Sequence, residues 1–160
     1  MEIERKFLVE PSKVPGSLAN PTYIRQGYLP TSDGFSVRVR LTGPHKDIIM
    51  GSELTVKKGL TERSRYEYTF PMNIDEAREL YAMCSDKLEK IRYHIVLGKH
   101  IWDLDVFQVL HQGLVLAEIE LKSEDEEFER PLWLGTEVTG QLPYLNQNLA
   151  KLRFGEKQHD

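Results

Sequence analysis

Two Glu-x-Glu pairs stand near opposite ends of the chain, Glu2 and Glu4 in MEIERKF and Glu118 and Glu120 in LAEIEL. Alternate residues of a strand share a face, so each pair projects two carboxylates the same way. If the two strands come close in one sheet, four carboxylates converge. That is a hard-oxygen set suited to Mg²⁺ or Mn²⁺, with open positions for phosphate oxygens. Asp105, in WDLDVF, could join them or hold a second ion. The cations form a second set. Arg38 and Arg40 in VRVR, Lys57 in LTVKK, Arg65 in RSRYEY and Arg92 in KIRYHI can all point one way. Arginine forks match phosphate oxygens in pairs, and lysine adds a compact charge. A triphosphate carries about four to five negative charges near neutral pH, because its terminal protons titrate near 6. Five or six cations with one or two divalent ions would balance it.

These residues need a scaffold that faces them toward one another. Eight stretches read as strands by alternation or β-rich composition: MEIERKFLVE, TYIRQGYLP, FSVRVRLT, SELTVKK, ERSRYEYTF, EKIRYHIVL, IWDLDVFQ and LVLAEIELKS. Turn formers separate them, among them Thr31-Ser32-Asp33-Gly34, Gly43-Pro44, Gly59, Gly98 and Gln112-Gly113. After the fifth, PMNIDEARELYAMCSDK offers Asn73 as an N-cap with Glu76 three residues on, and spaces Ala77, Leu80, Tyr81 and Cys84 as a helix does. A second helix is expected within YLNQNLAKL, and SEDEEFERPLWLGTEVTG reads as an acidic loop. Eight mostly antiparallel strands with short connections imply an α+β fold built on a closed eight-stranded antiparallel β-barrel or a strongly curved sheet.

Parity separates apolar from charged residues in strand after strand. Val37, Val39 and Leu41 oppose Arg38 and Arg40; Tyr66 and Tyr68 oppose Arg65 and Glu67; Ile91, Tyr93 and Ile95 oppose Arg92 and His94. A half-buried sheet with its charges in water accounts for alternation alone. A barrel lined by its charges accounts for one thing more. The cations gather on strands three to six and the carboxylates on the first and eighth, a segregation of sign that a solvated face does not require. Unpaired charges inside would be costly, so metal, anion or water must offset them.

The 160 residues suit one domain, 1–160, with 40% hydrophobic and 29% charged residues. A net charge of −4 argues against a general nucleic-acid binder. No apolar run approaches the roughly 20 residues of a membrane span, and the N-terminus lacks a signal peptide's apolar core, which points to the cytoplasm. The single cysteine, Cys84, sits at helical spacing and reads as a small buried side chain. His45, His100, His111 and His159 fall at turns or the tail; His94 alone takes an inward-type position, and no second histidine stands at ligand spacing. There is no Gly-x-x-x-x-Gly-Lys loop, so the chain is not a P-loop enzyme.

Glu2-Ile3-Glu4-Arg5-Lys6 resembles the Glu-x-Glu-x-Lys signature of the CYTH domain, the triphosphate tunnel metalloenzymes. The resemblance continues through VRVR, the Lys57 and Glu67 strands, KIRYHI, WDLDVF, AEIEL and NQNLAKL, and the compact length is similar to that of small bacterial members. It implies an eight-stranded tunnel with hydrophilic walls that hydrolyses triphosphate with a divalent metal. By the resemblance, Glu2, Glu4, Glu118 and Glu120 bind metal, with Asp105 on a second ion. Lys6, Arg38, Arg40, Lys57, Arg65 and Arg92 hold phosphate, with Arg63 and Lys90 as alternatives to Arg65. Lys151 closes over the tunnel, Glu67 orients the cations, and Tyr28 pairs with Lys6 as a catalytic dyad or packs as a wall tyrosine.

Inorganic tripolyphosphate, nucleoside triphosphates and thiamine triphosphate are all conceivable substrates; tripolyphosphate is favoured because nothing resembles a base-stacking platform. A class IV-type adenylyl cyclase and a non-catalytic polyphosphate-binding module are the alternatives. Outward apolar residues such as Val39, Tyr66, Tyr68, Ile91 and Ile119 outnumber what two helices can cover, which points to a homodimer.

Overall fold

The structure, a computed structural model, describes residues 1–16 and 18–151. Its strands are β1 (Glu2–Val9), β2 (Thr22–Leu29), β3 (Phe35–Gly43), β4 (Gly51–Gly59), β5 (Ser64–Pro71), β6 (Asp86–Leu97), β7 (His100–Gln108), β8 (Val115–Glu120) and β9 (Leu134–Glu137). Two helices accompany them, α1 (Ile74–Met83) and α2 (Asn146–Leu149). The first eight strands close into an antiparallel barrel in the order β1-β5-β4-β3-β2-β6-β7-β8 and back to β1. All eight strands expected from alternation are present, in the α+β barrel that their number implied. No helix among the described residues is long and apolar enough to cross a membrane.

The closure is narrow, and this explains the ninth strand. β1 and β5 share only the partners Glu2↔Arg65 and Ile3↔Ser64. Beyond them the edge of β1 would be left with unpaired backbone groups, which are costly once covered. β9 takes that edge at Phe7↔Glu137 and Val9↔Leu134, the Val138 N–H donates to the Lys6 carbonyl at 2.8 Å, and Thr139 Oγ1 accepts from the Lys6 N–H at 2.9 Å. The expectation of a plain acidic loop after β8 is thus corrected. LGTE is too short to show alternation, and its pairing is dictated by the open edge of β1. Arg5 holds β9 in place through a bidentate pair with Glu137, at 2.8 and 2.5 Å. The Arg5 hydrogen bond, with help from the Thr139 hydroxyl, outweighs burial and leaves the Glu137 carboxyl lowered to about 2. A depressed carboxyl stabilises above its unfolded value and ceases to as pH falls through its folded one. Arg5→Ala should therefore melt below wild type at pH 7, and the gap should shrink by pH 3; a pH-independent gap in thermal melts would contradict this.

Most outward apolar residues are covered within the chain. Val39 and Leu41 pack under Ala77, Leu80, Tyr81 and Cys84 of the α1 segment. α1 opens as its sequence predicts, with the Glu76 N–H donating to Asn73 Oδ1 at 3.1 Å. Cys84 presses so closely on β2 that a Cβ at Gly27 would meet its Sγ at 2.8 Å, so Gly27 serves packing. Across the barrel, Phe7, Trp102, Ala117 and Ile119 lie under Trp133, Phe128 and Leu134, with Trp102 edge-on to Phe7, Phe128 and Trp133. The acidic stretch after β8 therefore hides the apolar side chains that complete this layer. Tyr66, Tyr68 and Phe70 of β5 remain exposed.

Inside, the alternation holds with one change. Leu88, Phe107 and Leu116 share the inward parity of the charged residues, yet they pack with Tyr28 on Leu149 and Ala150. One end of the barrel is filled by this apolar plug, and the polar lining occupies the rest. The helix expected across YLNQNLAKL is shorter, a single turn at Leu142–Tyr144 followed by α2; Leu152 lies outside the described residues, as does His159.

Candidate active site

The barrel encloses a chamber of about 1250 Å³. Its wall includes Glu2, Glu4, Lys6, Glu118 and Glu120 from β1 and β8, and Arg38, Arg40, Lys57, Arg65, Glu67 and Arg92 from β3 to β6, together with Tyr28. β1 and β8 are hydrogen-bonded neighbours, with Glu4 opposite Glu120 and Lys6 opposite Glu118. This register is what brings the two Glu-x-Glu pairs, more than a hundred residues apart in the chain, into one corner.

The carboxylates divide into two electrostatic classes. Burial penalises Glu118, but Lys6 at 3.5 Å and Arg92 at 3.8 Å, with Lys90 beyond, hold its carboxyl well below the usual range. Glu4 goes the other way: burial raises it and Glu118 adds like charge, against the pull of Arg65, whose Nη2 donates to Glu4 Oε1 at 2.6 Å. Glu2 is raised by burial and by its hydrogen bond with Glu67, although Lys57 donates to it at 3.1 Å and Arg65 Nε lies at 3.1 Å. Glu120, on the exposed rim, is raised by burial and then by Glu2 and Glu4. Three mutually repelling carboxyls beside one ionised carboxylate are under-supplied with positive charge, which is the condition a bound divalent ion relieves. Among the described residues no three His, Cys, Asp or Glu side chains already close on one point as a finished metal cage. The donors fit a hard cation in type and charge; Glu2 and Glu4 are paired at present with Lys57 and Arg65, and Glu118 with Lys6 and Arg92.

Asp105 is placed differently from the second-ion position expected of it. It is fully buried, Oδ1 accepts from Arg92 Nε at 2.7 Å, and Oδ2 accepts from Lys90 Nζ at 2.7 Å and Arg92 Nη2 at 2.9 Å. Burial alone would raise its carboxyl, but these two cations outweigh burial and hold it lowered to about 2. Both oxygens are committed, so Asp105 braces Arg92 from behind the wall. Arg92 also meets Asp103 at 3.2 Å. Its guanidinium is thereby fixed in orientation toward Glu118 and the chamber.

Tyr28 and Lys6 do not form the expected direct pair. Lys6 Nζ donates to the Tyr144 carbonyl at 3.0 Å, while Tyr28 Oη accepts from Gln26 Nε2 at 2.7 Å. Burial raises the Tyr28 phenol, and Arg38, Arg40 and Lys6 only partly oppose it. The raised phenol favours the protonated hydroxyl, which accepts from Gln26 and keeps a hydrogen to donate. Two residues with roles here went unassigned in the sequence. Gln26, fully buried, accepts from Arg40 Nε and Nη2 at 3.1 and 2.9 Å and so links Arg40 to Tyr28. Lys90 entered only as an alternative to Arg65. It is fully buried, donates to Asp105 and to Asn146 Oδ1 at 3.3 Å, and burial carries its ammonium down to about 7 despite Asp105. Inward parity with Tyr28 and Arg92 was the available signal for both. Arg63 hydrogen-bonds the Glu124 carbonyl at 2.9 Å, leaving Arg65 as the arginine of β5 that faces the carboxylates. Lys151 lies exposed in the turn after α2.

A family model described as the CYTH domain matches residues 1–151. Among characterised proteins, the chain is 40% identical over 152 residues to an inorganic triphosphatase of Acetivibrio thermocellus, covering 94% of this chain and 93% of that one. It is 36% identical over 154 residues to an inorganic triphosphatase of Nitrosomonas europaea, covering 93% and 96%. A crystal structure of an inorganic triphosphatase superposes with a TM-score of 0.67 at 34% identity, over 97% of each chain.

Proposed function

This chain belongs to the CYTH domain family, and from that premise we propose that it is a divalent-metal-dependent triphosphatase that hydrolyses the terminal phosphoanhydride of inorganic tripolyphosphate. The observation that supports this most is the segregated lining of one enclosed chamber, carboxylates on β1 and β8 facing cations on β3 to β6. The CYTH family model spans residues 1–151, which hold every residue of the proposed site. Relatives that share most of their length with this chain are inorganic triphosphatases.

Arg38, Arg40, Lys57 and Arg92 hold the phosphates in line, and their fixed donors meet charge that develops on the bridging and terminal oxygens. Lys6 serves the same purpose at the carboxylate corner. Glu2, Glu4, Glu118 and Glu120 would hold Mg²⁺ or Mn²⁺, which when bound supplies charge neutralisation for the polyanion and leaving phosphate. The Tyr28 hydroxyl donates a hydrogen bond to a phosphate oxygen and keeps its proton, while Gln26 aligns it with Arg40. Lys90, fully buried behind Arg92, is held by Asp105 and Asn146 and supports the wall from outside the chamber. Glu67 steadies Lys57, 3.8 Å away.

Chelation should remove phosphate release from tripolyphosphate, and adding back Mg²⁺ or Mn²⁺ should restore it. Activity that survives exhaustive chelation refutes the metal dependence. With ATP and Mn²⁺, a hydrolase yields ADP and orthophosphate, whereas cyclic AMP among the products would establish the cyclase reading instead. Tight tripolyphosphate binding without turnover under any divalent ion would establish the binding module. The chain acts as a soluble cytoplasmic enzyme on a small triphosphate, without nucleic acid or membrane. Exposed Tyr66, Tyr68 and Phe70 form the face of a homodimer; a monomer mass by light scattering at micromolar concentration refutes it.

A further inference from the structure

Exposure along the inward faces of β6 and β7 gives the chamber a direction. Side-chain exposure rises from 0% at Lys90 through 14% at Arg92 to 50% at His94, and from 0% at Asp105 to 30% at Asp103. His94 and Asp103 are register partners at the open end. His94 Nδ1 lies 2.8 Å from Asp103 Oδ1, while Asp103 Oδ2 is 3.2 Å from Arg92 Nη1. A carboxylate only accepts, so Nδ1 carries the proton and Nε2 is the free ring nitrogen. The imidazole is thus fixed in tautomer and tied, through one carboxylate, to an arginine of the phosphate-binding wall. A rim histidine with no role beyond solvation would need neither.

We infer that His94, oriented by Asp103, is a substrate-binding residue at the chamber mouth that recognises the phosphate at the leaving end of the chain, unesterified in tripolyphosphate and esterified in ATP, and so favours inorganic over organic triphosphates. This rests on the triphosphatase reading and adds a specificity determinant to it. An unesterified terminal phosphate exchanges its last proton near pH 6. Nε2 can accept a hydrogen bond from the P–OH of the monoprotonated group. An esterified phosphate has a single negative charge and no such proton. It has no proton to offer Nε2, and its organic substituent must also pass the rim, where among the described residues Lys99, Ile101 and Lys122 present no Phe, Tyr or Trp face.

The test compares the Michaelis constant for tripolyphosphate with the inhibition constant of ATP as its competitor, in wild type, His94→Ala, His94→Gln and Asp103→Asn. Losing one charge-assisted hydrogen bond should raise the tripolyphosphate constant about tenfold in His94→Ala with kcat changed less. The ATP constant should move less than twofold, and Asp103→Asn should fall between wild type and His94→Ala. Half-exposed His94 can be truncated without burying a void, and circular dichroism confirms folding. Unchanged tripolyphosphate affinity, or equal weakening for both ligands, overturns the inference. If wild type turns over no tripolyphosphate, the triphosphatase reading fails by itself; calorimetric affinities of the same variants for tripolyphosphate and ATP then decide the role of His94 separately.

Discussion

Glu4→Gln should lower kcat for tripolyphosphate by at least about a hundredfold, the scale seen when one preorganised electrostatic contact is removed. The substitution keeps size and shape, so packing around β1 is preserved. It removes the negative charge that Arg65 meets at 2.6 Å and that faces Glu120 across the β1–β8 ladder. In the free protein burial and the like charge of Glu118 oppose ionisation of Glu4, which offsets part of the lost pairing with Arg65. The loss appears on loading: a neutral amide gives a divalent ion one oxygen without charge, so the metal concentration for half-maximal activity should rise as kcat falls. Phosphate release measured against Mg²⁺ checks both. Wild-type turnover with unchanged metal dependence would remove Glu4 from the site.

The second large effect is on stability. Asp105→Asn should destabilise the fold by about 3–5 kcal/mol, because it leaves the buried Lys90 and Arg92 without their shared counter-charge. A lysine with a lowered folded value binds a proton less readily folded than unfolded, between about pH 7 and its ordinary value. Stability of the Asn variant should therefore recover as pH rises through that window. The wild-type contribution of Asp105, whose folded value is depressed, is present above its ordinary carboxyl value and is lost as pH falls through about 2. Pairing the change as Lys90→Met with Asp105→Leu should return part of the stability, since an apolar pair of similar volume needs no counter-charge, even though activity is lost. Urea unfolding distinguishes these outcomes. If Asp105→Asn unfolds like wild type while its metal requirement rises, Asp105 is a metal ligand and the brace is the wrong account.

The eight strands and their inward parity were readable because period-two alternation runs through nearly every one, from Arg38 and Arg40 to Glu118 and Glu120. The chamber lining follows from that parity and from the sign segregation along the chain. What escaped was residue-level partnership. Leu116 shares parity with Glu118, yet one faces the plug and the other the chamber, because the inward face of a strand runs the depth of the barrel. Asp105 looked like Glu118 in type and direction, but its depth beneath Arg92 decides which atoms reach its oxygens. β9 could not be read from LGTE, since its pairing answers to an open edge on β1 more than a hundred residues earlier.

The barrel, the direction in which each charge points and the chemistry those charges suit were legible residue by residue, because alternation and residue type are local properties of a strand. Which charges meet is a matter of three-dimensional packing. Strand stagger and closure set depth, and depth governs desolvation and neighbours; hence Glu118 is ionised, Glu4 is pushed up, Asp105 is a brace, and His94 stands at the mouth.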